Sequence, residues 1–157
     1  MEFVAGIHVN LSDDALQSAA LGVNPAGKLT DLDIGKAVKL IADSTYGLCA
    51  DGNDIEGILF AVAPHTVNSG YGFGTVQTKE RIIGINKGVG VIAVGAFAIA
   101  AAQPAVGTTI TEITSGTQSG VRPTHIKEGA GTLYKWRVIS LLGGAGAVDS
   151  TVLLERV

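Results

Sequence analysis

Three histidines, one cysteine and a short acidic loop are the residues whose types could do chemistry, and their spacing decides what chemistry is open to them. His8, His65 and His125 stand far apart and repeat no ligand spacing, so no histidine metal centre is expected. No serine motif, reactive-cysteine setting or carboxylate pair accompanies them, which argues against a histidine-centred acid–base site. Cys49 sits in Tyr46-Gly47-Leu48-Cys49-Ala50 and reads as a buried small hydrophobe rather than a nucleophile. As the only cysteine it excludes an internal disulfide framework and a cysteine-cluster metal site. Asp51, Asn53 and Glu56 offer oxygen ligands close together, yet the long ligand series and terminal glutamate of a helix-loop-helix calcium loop are missing. A solvated turn is the expectation there.

Two further patterns invite a functional reading. Gly70-Tyr71-Gly72-Phe73-Gly74 lacks the third glycine of a dinucleotide loop and the Gly-Lys-Ser/Thr end of a phosphate loop, so its glycines are expected to relieve curvature in a strand. Lys135-Trp136-Arg137 is the one basic-aromatic cluster. The remaining basic residues, among them Lys28, Lys36, Lys39, Arg81, Lys87 and Lys127, are dispersed in a chain of net charge -3. That is too little positive field for a nucleic-acid surface. Trp136 is instead expected on a core or subunit face, with its charged neighbours opposite. No catalytic, cofactor-binding or metal-binding residue is assigned, no cofactor is expected, and the chain is expected not to be an enzyme.

The elements that would position these residues read as mainly β. The expected fold is a compact antiparallel β-sandwich or barrel-like domain with an extended N-terminal segment. Residues 1–27 are expected as an arm or edge segment and residues 28–157 as a single β-rich domain. Within the arm, Ser12-Asp13-Asp14 could cap a short helix through Ala15, Leu16, Ala19 and Leu21, which Gly22, Asn24, Pro25 and Gly27 would end. Strands are expected at residues 37–42, 71–76, 81–85, 133–142 and 151–157. The last two form a pair across a wide Gly/Ala loop at 143–150. Residues 47–50 and 55–63 flank Asp51-Gly52-Asn53-Asp54 as a hairpin or sheet corner. Asn86-Lys87-Gly88 reads as a hairpin turn, and the β-branched run at 108–114 as a strand.

Composition narrows the class. The 157 residues suffice for one domain with a sizeable core. Charged residues make up 16%, below the usual figure of roughly 25%, so the surface is unusually neutral and suited to being covered by partners. Glycine occurs 22 times without a collagen period and so punctuates short strands. The uncharged run at 88–111 has an apolar centre too short for a membrane helix, which needs roughly 20 residues. Buried strand structure is expected over 88–102, with no membrane partner. No basic residue precedes an apolar stretch near Met1, and Asp13 and Asp14 interrupt it, so no export signal is expected.

One resemblance adds to this. Gly27-Lys28-Leu29-Thr30, Asp33-Ile34-Gly35-Lys36-Ala37-Val38-Lys39-Leu40 and Tyr46-Gly47-Leu48-Cys49-Ala50-Asp51-Gly52-Asn53-Asp54-Ile55-Glu56-Gly57-Ile58-Leu59 resemble the head decoration, or cement, proteins of tailed bacteriophages. The likeness covers residues 27–63 and is one of turns and strands. It implies a sandwich or barrel-like subunit, often a homotrimer, on the outer surface of the virion capsid, bridging neighbouring major capsid protein subunits without touching nucleic acid. The N-terminal segment would engage the shell, and the chain would be made in the host cytoplasm. The uncharged stretch at 88–111 has no counterpart in that family. Two other readings stay open: a small β-barrel enzyme or ligand-binding module with a site built from distant loops, and a self-assembling phage head or tail component.

Overall fold

The computed structural model describes residues 16–21, 23–24, 27–42, 45–63 and 72–157. Among the described residues twelve strands follow one another: β1 Leu16–Leu21, β2 Val23–Asn24, β3 Gly27–Lys28, β4 Ala37–Ala42, β5 Thr45–Leu48, β6 Gly57–Val62, β7 Gly72–Gln77, β8 Arg81–Asn86, β9 Phe97–Ala100, β10 Thr124–Glu128, β11 Trp136–Leu141 and β12 Thr151–Arg156. Ten of them close into two five-stranded barrels, β1-β5-β4-β6-β7 and β8-β10-β9-β11-β12, while β2 and β3 form a separate ribbon. The chain is thus mainly β and barrel-like, as its turn-punctuated apolar runs indicate.

Pairing is antiparallel apart from one parallel contact in each barrel, β1 with β5 and β8 with β10. In ring order, each barrel visits its first, third, second, fourth and fifth strands. Both fourth strands carry a bulge: β6 shifts register against β7 between Leu59 and Ala61, and β11 shifts against β12 between Val138 and Ser140. An inserted residue bends a strand, which helps so few strands curl closed.

Side chains of successive strand residues point to opposite faces, and the starts of β4, at Ala37-Val38, and of β6, at Gly57–Phe60, are buried on both. Val38 and Leu59 turn into the first barrel with Leu29 and Val76. Their neighbours Ala37 and Ile58 turn outward and join the second core, where Trp136, Ile82, Ile126, Val138, Val152 and Leu154 meet Cys49 and Ile55. The continuous apolar run Gly57-Ile58-Leu59-Phe60 is therefore a strand with two covered faces. Gly57 is required by close approach: a Cβ there would lie 2.3 Å from Val76 Cγ1.

Polar ties reinforce this junction. The Trp136 indole donates to the Ile55 carbonyl at 2.9 Å, and Ala100 exchanges backbone bonds with Gly52 and Asn53. The Asp54 carboxylate accepts from the N–H groups of Thr132, Leu133 and Tyr134. At the root of β4, Thr30 and Asp33 form a capping box over the 3-10 turn Asp31–Asp33. Fully buried Lys36 bridges Asp33 and the Ala105 carbonyl, and Gly107 N–H closes on Asp33.

Several expectations change. Leu16–Leu21 is a strand, not a helix, because β5 and β7 hold both of its edges and the ladder overrides local propensity. It closes the first barrel, packed on the domain rather than extended from it, and residues 1–15 of the expected arm or edge segment lie outside the described residues. The expected β-rich region takes the form of two barrels with one shared core, the first of them completed by Leu16–Leu21. Residues 47–50 and 55–63 form a corner, since β5 and β6 never pair. Asn86-Lys87-Gly88 is not a hairpin: β8 lies between β10 and β12, and Asn86 ties loops instead. Residues 108–114 form no strand; Ile113 exchanges bonds with Gly120 and Val121, and no barrel edge is free to take the run. Within 88–102 only Phe97–Ala100 is a strand, while Val89, Val91 and Val94 face solvent.

Candidate interaction surface

Among the described residues, those singled out for chemistry are engaged in separate structural bonds. Cys49 is buried beneath the β5–β6 corner, its thiol pushed up to about 12 chiefly by burial, and it donates to the Asp54 carbonyl. That value leaves it protonated and unreactive at neutral pH. His125 is half-buried, with Nδ1 3.2 Å from the Ala102 carbonyl; burial holds its pKa below the ordinary histidine value. His8 and His65 lie outside the described residues. Asp51 pairs with Lys127, the Asn53 side chain accepts from Ala50 N–H, and Glu56 accepts from Leu40 N–H, so the acidic loop spends its oxygens on three separate bonds. Among the described residues no three His, Cys, Asp or Glu side chains gather as a metal site.

The basic-aromatic cluster is split by strand alternation. Trp136 has no exposure and cannot stack on a base, while Lys135 and Arg137 face outward and Lys135 lies over Phe97. Of the glycine-rich segment, Gly70 and Tyr71 lie outside the described residues; Gly72–Gln77 is β7. Among the described residues no helix is long and apolar enough to cross a membrane.

Two surfaces remain. A cleft of about 380 Å³ opens where the barrels meet, lined by Leu40, Tyr46, Glu56, Thr78, Lys79, Tyr134 and Arg156. The Arg156 guanidinium lies 4.5 Å from the Tyr134 ring and donates to the carbonyls of Thr78 and Glu56. Burial lowers its pKa and raises that of Tyr46. Those donors serve the junction itself.

The second surface lies on the second barrel, where the loops 87–96 and 142–150 are fastened together. The Asn86 amide donates to the carbonyls of Gly90 and Gly146, and its oxygen accepts from Gly88 N–H. Ile92 N–H bonds the Gly146 carbonyl, and its fully buried side chain plugs the barrel. Gly146, at φ 80°, fits only as glycine, since a Cβ would fall 2.0 Å from the Ile92 carbonyl oxygen. Around that anchor Val89 is fully exposed, Val91 and Val94 are mostly so, and Leu142 and Val148 are partly exposed. Lys87 and Asp149 neutralise each other at the base. The result is a pair of loops, tied together and without net charge at their base, that exposes several valines around the buried Ile92.

The sequence run at 88–94 announced its apolarity; only the fold shows that the valines point out while Ile92 points in. No protein-family model matches the chain, and comparison with curated proteins and with solved structures finds no match either.

Proposed function

We propose that the protein is a structural capsid decoration protein, which binds the outer surface of an assembled phage head and stabilises contacts between major capsid protein subunits. The observation that carries this reading is the exposure of Val89, Val91 and Val94 on a loop held to a closed barrel by the Asn86 and Gly146 ties. A reinforcing protein acts by mass action: it binds the assembled shell better than free subunits and so shifts the equilibrium toward the shell. That role calls for a rigid body and an apolar contact surface, not for an armed nucleophile or a metal. Copies associate as a homotrimer in this reading.

Heads assembled from the cognate major capsid protein, mixed with the purified chain and sedimented, are expected to carry it to saturation at fixed stoichiometry. V89D/V91D should abolish that binding while leaving the circular dichroism spectrum unchanged. Failure of the wild-type chain to co-sediment would overturn the assignment. Light scattering at micromolar concentration is expected to give three times the mass of the chain, and a persistent monomer would remove the trimer.

A further inference from the structure

The two barrels agree far beyond strand order. One assignment of residues carries most pairings of one ring onto the other; the register shift between Leu40 and Ala42 of β4 is an exception, absent from β9. Leu48 faces Val38 as Glu128 faces Ala98; Val38 faces Gly57 as Ala98 faces Trp136; Leu59 faces Val76 as Val138 faces Leu154. Gln77 faces Leu16 as Glu155 faces Arg81, and Ala20 faces Thr45 as Ile85 faces His125, the latter across the parallel contact. The bulge that follows Leu59 in β6 follows the matching Val138 in β11.

Bonds outside the ladders obey the same assignment. A turn closes from Lys36 N–H to the Asp33 carbonyl, and its counterpart closes from Ala96 N–H to the Ala93 carbonyl. Each has a left-handed glycine at the same place, Gly35 at φ 97° and Gly95 at φ 91°. Gly35 N–H bonds Leu59 as Gly95 N–H bonds Val138; Leu59 N–H bonds Lys36 as Val138 N–H bonds Ala96; Cys49 N–H bonds Ala37 as Gly129 N–H bonds Phe97. Closing five strands restricts topology, but closure does not dictate where a bulge falls or which turn enters the second strand.

We infer that residues 16–77 and 81–157 are two copies of one structural unit, joined through residues 78–80, and that the buried junction between them is an internalised contact between like modules. Their sequences have diverged by trading side-chain size across the shared frame. Gly57 beside Val38 in one barrel corresponds to Trp136 beside Ala98 in the other. Leu59 opposite Val76 corresponds to the inverted pair, Val138 opposite Leu154, and all four of these side chains have no exposure. This inference is independent of what the protein binds.

If the pairs occupy the same site, each barrel must accept the other's arrangement. L59V and V76L singly are expected to lower the urea midpoint, through a small cavity and through overpacking, and L59V/V76L to recover most of the loss. V138L/L154V should behave likewise in the second barrel. The control V38L/L59V makes the same Leu/Val exchange between two positions of one core whose counterparts, Ala98 and Val138, show no such inversion; it should stay destabilised. Additive losses in either equivalent pair would overturn the inference, and so would equal recovery in the control, which would mean general tolerance rather than a shared site.

Discussion

A lysine ammonium and an aspartate carboxylate with no solvent exposure stand at the entry to β4, and their worth lies in being together. Removing one partner of such a pair leaves a buried charge that typically costs about 3–5 kcal/mol, whereas replacing both with apolar groups costs far less. Lys36→Met is therefore expected to lose stability on that scale in urea denaturation, and Asp33→Leu at least as much, because the Thr30 and Gly107 N–H groups also donate to that carboxylate. Asp54 is the second decisive carboxylate. Burial pushes its pKa up, but the N–H groups of Leu133, Thr132 and Tyr134 outweigh that and hold it below the ordinary carboxylate value. A group whose folded pKa is depressed stabilises the fold above its unfolded value, near 4 on the reference scale of about 3.9, and loses that contribution as pH falls through the folded value. Urea midpoints between neutral pH and strong acid should accordingly fall less steeply for Asp54→Asn than for the wild type, from a lower start at neutral pH. Parallel acid limbs in the two proteins would contradict this.

At the scale of elements, the fastening of loops 87–96 and 142–150 depends on Gly146. Gly146→Ala combines a left-handed backbone angle with a Cβ too close to the Ile92 carbonyl, so the Ile92–Gly146 bond is expected to break. Amide exchange at Ile92 should accelerate strongly, while amides in β1, β4 and β6 keep wild-type protection. Strands such as Ala37–Ala42, Arg81–Asn86 and Thr151–Arg156 were legible in the sequence because β-branched apolar residues alternate between turn formers. Leu16–Leu21 was not, since its Leu/Gln/Ala composition suits a helix and only distant β5 and β7 make it a strand. The run at 108–114 misled in the opposite way: its propensity is strong, but both rings are closed without it. The doubling of the barrel was hidden because corresponding residues differ in chemistry, Gly57 against Trp136 and Ile58 against Arg137. At residues 89–94, sequence showed apolar valines, and their exposure follows only from Ile92 taking the inward place.

At the scale of the whole molecule, the larger core draws Ala37, Cys49, Ile55 and Ile58 of one barrel into the interior of the other. Neither barrel can open without exposing that shared interior, so equilibrium unfolding should be a single transition. Fluorescence of Trp136, the only tryptophan, and far-ultraviolet circular dichroism are expected to give coincident urea midpoints. Two separated midpoints would show that the barrels fail independently. The closure of both rings carries a consequence of another kind. Every one of the ten barrel strands has a neighbour on each side, so neither barrel presents a row of unpaired backbone N–H and carbonyl groups. Free strand edges are where crowded β proteins recruit one another into open-ended aggregates. Among the described residues, copies of this chain packed side by side at high density would therefore meet the two barrels through side chains and loops, and free strand edges stay confined to the short β2–β3 ribbon.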